Sequence, residues 1–355
     1  MDLAAFRRLL TPEGQGALAA AVELQPTDAT LLSVHQRLRK QFPADLARAA
    51  VETVVLRQKA RGKFTKADQM YFTREALEQS SGEVIATYRA GRFAAYARVG
   101  DFCCGIGGDL IGLAGVTDVV AIEADPLRLA MAEENLKAYG RAHRATFIGG
   151  DLLTVPLPDV PAAFFDPDRR AGGRRHVRLD NYVPPLDAVR DRLPAGFPLG
   201  VKVAPAVSRD ELARYDAEAE FISVDGELKE CVLWLGPLAT MRHRATVLPL
   251  AASLFAPRPA DPSPPGPPLA YLYDPDPAVV RSGLVANLGE MLGGRPIDAD
   301  IAYLATDRLT PTPFARAYQV EEALPFHARR LGERLRSLNV GPVTITKRGS
   351  AVAVD

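Results

Sequence analysis

The chain is short of cysteine and tryptophan, and it has no excess charge of either sign. Three cysteines stand among 355 residues, and two of them, Cys103 and Cys104, are neighbours. That supply cannot build a disulfide framework, and the spacing is not that of a zinc site, so no metal is expected. No apolar run approaches the ~18–20 residues that a membrane-spanning helix needs. Met1 and Asp2, followed by Arg7 and Arg8, lack the apolar stretch of a secretory leader. These absences lead to the expectation of a soluble, cytoplasmic protein with no membrane partner. The 43 basic residues balance 43 acidic ones, which argues against wholesale wrapping of nucleic acid.

What is present suits a folded globular protein. Hydrophobic residues make up 47% and charged residues 24% of the chain, enough apolar surface to bury a core. At ~150 residues per domain the length implies two or three domains. The neutral total hides an uneven distribution. Residues 1–99 carry 15 basic against 10 acidic groups, residues 100–236 carry 15 against 22, and residues 237–355 carry 13 against 11. Arginine makes up 35 of the basic residues, a bias of composition that by itself is no evidence of RNA binding.

Periodicity divides the chain. From Leu3 to about Gly91 the pattern is helical, with Leu, Ala and Val at three- and four-residue spacing over Leu31–Arg39 and Leu46–Gln58. Thr11 before Pro12 reads as an N-cap followed by proline at the first helical position. At Val99 short apolar runs begin to alternate with helices. The runs are Val99–Cys104, Val119–Glu123, Thr146–Ile148, Ala162–Phe165 and Leu199–Ala204; the helices are Pro126–Tyr139, Pro184–Arg192 and Arg209–Ala219. This alternation predicts a doubly wound parallel sheet. Glu220–Val224 and Glu230–Leu235, joined at Asp225-Gly226, predict a closing hairpin. From Ala256 to Pro268 seven of 13 residues are proline, a stiff linker or long loop. A second α/β pattern follows: strand-like Ala270–Tyr273, helical Pro277–Leu292, strand-like Ile301–Ala305, Ala315–Val320, helical Pro325–Leu338 and strand-like Val343–Lys347. The expected domains are a helical region at 1–92, a sheet domain at 93–236 and a smaller α/β domain at 237–355.

The first chemical motif joins the first strand to its helix: Val99-Gly-Asp-Phe-Cys-Cys-Gly-Ile-Gly-Gly-Asp109. Glycines at 105, 107 and 108 let the backbone turn sharply and approach a ligand at the carboxyl edge of the sheet. As GxGxxG the third position is Leu110, so the dinucleotide fingerprint fails. As Asp-x-Cys-x-Gly-x-Gly it fits an S-adenosylmethionine loop, with Cys103 where glycine is usual and Asp101 facing the ammonium group. Glu123 ends the second strand and can accept two ribose hydroxyl protons. Asp151, beside Leu152 after the third strand, can accept the adenine amino group. Any one of these acids alone reads equally as a helix cap or a solvated loop residue; three at successive strand ends do not.

Residues 99–166 resemble a class I S-adenosylmethionine-dependent methyltransferase, and more narrowly the trimethylguanosine synthase group. The resemblance rests on Asp101–Asp109, Ala121-Ile-Glu-Ala-Asp-Pro126, Asn135-Leu-Lys-Ala-Tyr-Gly140 and Phe147-Ile-Gly-Gly-Asp151. It implies a Rossmann-like seven-stranded sheet and an S-adenosylmethionine site that includes Asp101, Cys103, Gly105, Gly107, Glu123, Ala124, Asp151 and Leu152. Gln69-Met-Tyr-Phe-Thr-Arg-Glu-Ala-Leu77 is similar to the segment that closes over the cofactor in that group. Tyr271-Leu-Tyr-Asp-Pro275, Ile301-Ala-Tyr-Leu304 and Thr346-Lys-Arg-Gly349 resemble the C-terminal extension of bacterial THUMP-like methyltransferases, which implies RNA as partner.

After the fourth strand comes Phe164-Phe165-Asp166-Pro167-Asp168-Arg169-Arg170. An amine conjugated to a base is a poor nucleophile, and amino methyltransferases hold it with Asn/Asp-Pro-Pro-aromatic. Asp166 and Pro167 match the first half; Asp168 replaces the second proline and Arg169 the aromatic residue. Arginine stacks on bases or pairs with phosphate. Arg169, Arg170, Arg174, Arg175 and Arg178 make a basic run suited to a phosphate backbone, as does the helical pattern His327, Arg330, Arg334. Tyr182 reads as a stacking residue or as core.

Other readings stay open. Asp166, Lys202 and Glu230, with Lys63 or Lys66, resemble the set of ribose 2′-O-methyltransferases. A small-molecule acceptor, or RNA binding with S-adenosylmethionine as a structural ligand, are further alternatives. Pyrimidine-carbon methylation is disfavoured, because Cys103 and Cys104 lie in the cofactor loop and Cys231 inside a strand.

Overall fold

The structure, a computed structural model, describes residues 1–171, 174–175 and 178–345; of residues 170, 171, 174 and 175 the backbone alone is described. Two compact units divide the chain: Met1–Glu218 with Cys231–Thr240, and Ala219–Glu230 with Met241–Asp355.

The first unit opens with six helices: α1 (Leu3–Leu9), α2 (Pro12–Glu23), α3 (Leu31–Leu38), α4 (Ala44–Ala60), α5 (Arg74–Gln79) and α6 (Glu83–Ala90). The capping signal read at Thr11 is realised: its hydroxyl accepts from the Gly14 N–H, with Pro12 at the first helical position. α4 is the centre of this bundle and packs on α1, α2 and α3 through Leu46, Ala50, Val54 and their neighbours.

The sheet follows. β1 (Arg98–Phe102), α7 (Gly108–Leu113), β2 (Asp118–Glu123), α8 (Pro126–Ala138), β3 (Ala145–Gly149) and β4 (Ala163–Phe165) come first. A two-residue antiparallel pair, β5 (Arg170–Ala171) and β6 (Arg174–Arg175), precedes α9 (Leu186–Arg190). Then come β7 (Leu199–Val203), α10 (Arg209–Ala213) and the hairpin strands β8 (Ala217–Val224) and β9 (Glu227–Leu235). In the first unit the order is β3–β2–β1–β4–β7, all parallel, with the Cys231–Leu235 half of β9 antiparallel beside β7. The five parallel strands and the closing hairpin are the expected methyltransferase set. The strand order switches between β1 and β4, the chain moving outward to β2 and β3 on one side and to β4 and β7 on the other, so the carboxyl ends of β1 and β4 flank the crevice where such sheets bind ligands. Beneath that edge Phe93, Phe164 and Trp234 cluster with ring centroids 5.9–6.4 Å apart. Gly200 leaves room for the indole, since a Cβ there would lie 2.6 Å from it.

The helix expected over Arg209–Ala219 stops at Ala213, and β8 begins at Ala217. Glu218 and Glu220 lend that stretch the polarity of a helix face, yet both are fully buried in the strand. Each has a partner distant in sequence: Arg92 for Glu218 at 2.7 Å, Thr246 for Glu220 at 2.6 Å.

In the second unit the Ala219–Val224 part of β8 runs parallel to β10 (His243–Leu248), which pairs antiparallel with β11 (Ala252–Ala256). After the proline-rich segment come β12 (Tyr271–Pro275), α11 (Pro277–Ser282), α12 (Val285–Leu292), β13 (Arg295–Pro296), β14 (Leu304–Thr306), β15 (Ala315–Gln319) and α13 (Ala328–Ser337). The last four strands form an antiparallel sheet in the order β13–β14–β12–β15. The single helix expected over Pro277–Leu292 is broken at Gly283, whose φ of +81° ends α11 in a left-handed cap. Of the strand expected at Val343–Lys347, residues 343–345 form none, and Thr346 to Gly349 lie outside the described residues.

Candidate active site

A cavity of about 420 Å³ opens at the carboxyl ends of β1 to β4. The loop after β1 forms its floor. Cys103, Gly105 and Gly107 all have left-handed φ, at +65°, +55° and +86°. A Cβ on Gly105 would meet nothing within 4 Å, so glycine is required there by the backbone rather than by space; at Gly107 a Cβ would come 3.3 Å from Ala132. Glu123 holds this loop, its carboxylate accepting from the Gly105 and Asp125 N–H groups, each at 2.9 Å. Burial raises its pKa, and those two hydrogen bonds oppose the rise. Ala124 and Leu152 also line the cavity. Asp151 is exposed at the rim and one of its oxygens accepts from the Leu153 N–H at 2.9 Å.

Asp101 differs from these acids. It is fully buried at the end of β1, and neither carboxylate oxygen has a hydrogen-bond partner among the described residues. Burial, and then the Asp109 and Asp166 carboxylates nearby, push its pKa well above the ordinary range. Asp109, in the first turn of α7, is ion-paired with Arg89 from α6. The Arg89 guanidinium lies 4.5 Å from the centroid of the Phe164 ring. The thiols of half-buried Cys103 and buried Cys104 are also pushed up, by desolvation first and by the surrounding acids second.

The N-terminal helices supply the cover. Ala76, Gln79 and Ser80 line the cavity from α5 and the residue after it. Thr73 caps the start of α5 by accepting from the Ala76 N–H at 3.1 Å. Lys63 closes its other end, donating to the carbonyls of Leu77, Glu78 and Ser80 at 2.6, 3.3 and 3.2 Å. Asn135 on α8 joins this cover to the floor. Its side-chain oxygen accepts from the Tyr71 N–H at 2.7 Å, and its amide donates to the carbonyls of Tyr71 and Ile106 at 3.0 and 2.9 Å.

At the end of β4 stands Asp166, paired with the Lys202 ammonium at 2.7 Å. Lys202 is buried on β7 and also reaches the Gln79 carbonyl at 3.4 Å. Pro167, Asp168 and Arg169 continue the cavity wall. The backbone of Asp168 exchanges two hydrogen bonds with Val183, each 2.9 Å, which brings Val183, Pro184 and Pro185 to the cavity. The Gln79 side-chain amide donates to the Asp168 carboxylate at 3.4 Å.

Several candidates are not among the residues that line the cavity. Tyr182 is buried and its hydroxyl accepts from the Ala204 N–H at 2.9 Å, so it belongs to the core and is no stacking residue. Lys63 is committed to capping α5, and the Lys66 backbone N–H faces the Tyr139 hydroxyl at 3.5 Å. Arg178 pairs with Asp180 and Glu211. Glu230 is buried on β9, in the half that belongs to the second unit. On α13, where His327 is the N-cap and Arg330 is exposed, Arg334 pairs with Glu322 at 2.7 Å. The side chains of Arg170, Arg174 and Arg175 lie outside the described residues.

Comparison with known proteins bears on this geometry. An S-adenosylmethionine-dependent methyltransferase of Mycobacterium tuberculosis is 37% identical over 331 residues, which cover 90% of this chain and 89% of that protein. The chain belongs to this family of S-adenosylmethionine-dependent methyltransferases. Family models extend the match: RNA cap guanine-N2 methyltransferase over residues 97–192, THUMP domain-like over 315–355, and a domain of unknown function over 2–60. The trimethylguanosine synthase of Schizosaccharomyces pombe is 46% identical over 54 residues, 15% of this chain and 23% of that protein. A solved structure from Porphyromonas gingivalis W83, described as that of a methyltransferase, superposes with a TM-score of 0.70 at 17% identity over 88% of this chain and 87% of that one. It shares the fold.

The residues of this methyltransferase fit its cofactor. Asp109 and Asp166 line the cavity and pair with the buried cations Arg89 and Lys202, and the fully buried Asp101 stands near both carboxylates. A sulfonium cofactor with an ammonium group supplies the positive charge that this set lacks. Sequence reasoning did not find Arg89, Gln79, the Asn135 clasp or the Val183–Pro185 wall. The doublet Pro184-Pro185 was one local signal, and both ends of the Asn135–Tyr71 contact lie in segments that carried the family resemblance.

Proposed function

We propose that this methyltransferase acts on an exocyclic amine of an RNA base, with the guanine 2-amino group as acceptor. The observation that carries the reading is Asp166, at the carboxyl end of β4, aimed into the cavity with Pro167 beside it and held by Lys202 at 2.7 Å. S-adenosylmethionine, when bound, supplies a methyl carbon made electrophilic by the attached sulfonium. Asp101 receives the cofactor ammonium, Glu123 the ribose hydroxyls through its remaining lone pairs, and Asp151 the adenine amino group. Cys103, Gly105 and Gly107 shape the turn that lets the backbone approach. Asp166 and the Pro167 carbonyl accept the amine hydrogens, which orients the nitrogen lone pair and stabilises the positive charge that grows on it. Lys202, paired with Asp166 at 2.7 Å, fixes its direction. Pro184, Pro185 and Arg169 offer the base a flat contact in place of the missing aromatic ring.

Support for RNA comes from the two family models, whose descriptions name an RNA methyltransferase and a THUMP-like domain. The run Arg169, Arg170, Arg174, Arg175 beside the motif adds phosphate-binding charge. The test incubates the protein with methyl-labelled cofactor and total RNA from cells lacking the gene, then digests the RNA. Label in a 2-methylamino guanosine is the expected result. Label on a ribose 2′-oxygen would favour the second reading, to which the Asp166–Lys202 pair also lends itself; Lys63, spent on α5, weakens that set.

A further inference from the structure

Asp166 and Asp168 flank the acceptor end of the cavity, and between them stands a side chain from outside the motif. Gln79, the last residue of α5, touches one directly and the other through a lysine. Its side-chain amide donates to Asp168, and its backbone carbonyl accepts from Lys202, the lysine that holds Asp166. Its position is not accidental to packing: Lys63 ties down the three carbonyls around it, and Glu75 anchors the start of the same helix to Arg128 at 3.5 Å. The wall therefore presents two carboxylate acceptors and one amide donor, each on a restrained backbone.

We infer that Gln79 and Asp168 form the base-reading pair of this enzyme, a specificity determinant supplied jointly by the N-terminal helices and the loop after β4. The inference rests on the base-amine reading above. Guanine presents two adjacent donors, N1–H and the 2-amino group, followed by the O6 acceptor. Asp166 accepts from the amino group, Asp168 from N1–H, and the Gln79 amide donates to O6. On adenine or cytosine the ring nitrogen next to the amine is an acceptor. It would face the Asp168 carboxylate, leaving two acceptors opposed and no proton between them, and a site built for hydrogen bonds rejects such a mismatch strongly. An aromatic residue in the motif would bind any base; this pair sorts them.

Nucleotide binding to the full chain with S-adenosylhomocysteine present reads the pair directly, by titration calorimetry with GMP, IMP, AMP and CMP. GMP is expected to bind about tenfold or more tightly than AMP or CMP. IMP keeps N1–H and O6 but lacks the amine, and falls between them. Gln79→Glu keeps the shape but replaces the donor with an acceptor, and Asp168→Asn removes the charge. Both should bring GMP to within a few fold of AMP while the S-adenosylhomocysteine affinity and the unfolding temperature stay unchanged. Four nucleotides that bind equally or not at all, or a GMP preference that survives both substitutions, would overturn the inference. The RNA reading fails separately: a GMP preference lost in both variants, with no label entering RNA, keeps the pair and rejects RNA as acceptor.

Discussion

Two aspartates stand at the ends of adjacent strands, and they are in opposite conditions. Asp101 closes β1 fully buried, with both oxygens unpartnered among the described residues. Asp166 follows β4, 23% exposed at its side chain and already paired with Lys202. An unpartnered buried carboxylate costs folding free energy unless it stays protonated or a cation arrives. Asp166 has its partner in place whether or not a ligand is present. On the roles proposed above, the difference separates the two halves of the site: one would be completed by its ligand, the other is built in advance.

Exchanging the two phenotypes would break that comparison. The largest effect is expected for Asp166→Ala, a loss of about 100-fold or more in methyl transfer with cofactor affinity within a few fold of wild type. Labelled-methyl incorporation and calorimetry measure the two quantities separately. Asp101→Asn should do the reverse, weakening S-adenosylmethionine by roughly 10- to 100-fold in Kd through the lost charge-assisted bond.

Acidity sharpens the contrast. Because the Asp101 pKa is raised in the folded state, folded and unfolded chains both hold the proton at low pH and burial of the group costs little. As pH rises through the ordinary carboxylate range the unfolded chain releases the proton first, so the cofactor-free protein loses stability on this account. Asp101→Asn is therefore expected to melt above wild type at neutral pH without cofactor, and the gap to shrink toward pH ~4. Added cofactor should raise the wild-type melting temperature and leave the variant's almost unmoved. A gap that is constant with pH would contradict the protonated state of Asp101.

Two smaller changes probe how rigidly the cofactor half is held. Asn135→Ala removes the clasp between Tyr71 and Ile106 and should destabilise by about 2–3 kcal/mol in urea unfolding, with a weaker cofactor Kd as the floor loosens. Cys103→Gly relieves a left-handed backbone at a side-chain-bearing residue. It should be neutral or stabilising by up to about 1 kcal/mol, with cofactor binding retained.

The proposed cofactor half could be proposed from the sequence because its parts are local: a glycine turn within ten residues, and one acid at the end of each successive strand. The family resemblance pointed to the same residues, and strand order, hairpin and THUMP-like tail agreed with it. The acceptor half was legible only at Asp166 and Lys202. Gln79 meets Lys202 and Asp168 from a helix far upstream, and an exposed-looking glutamine at a helix end carries no signal of that. Arg89 and Glu218 failed for a related reason. Charged residues read as surface until the partner that neutralises them is known, and here each partner lies in another element. Tyr182 was undecided between two roles because aromatic residues serve stacking and core equally well, and only its burial against Ala204 decides.

The Asn135 clasp bears on how such a gene can be cut. One amide in α8 satisfies both backbone groups of Tyr71, so one wall of the pocket is encoded before the first strand. A chain trimmed to begin at Val99 would keep every glycine and acid of the cofactor turn and the whole parallel sheet. Its Asn135 would lose the two bonds to Tyr71, and its pocket would stand open along one side. The N-terminal helices are a part of the vessel rather than a handle on it, and a relative that shares only residues 97–192 must close that side with some other segment.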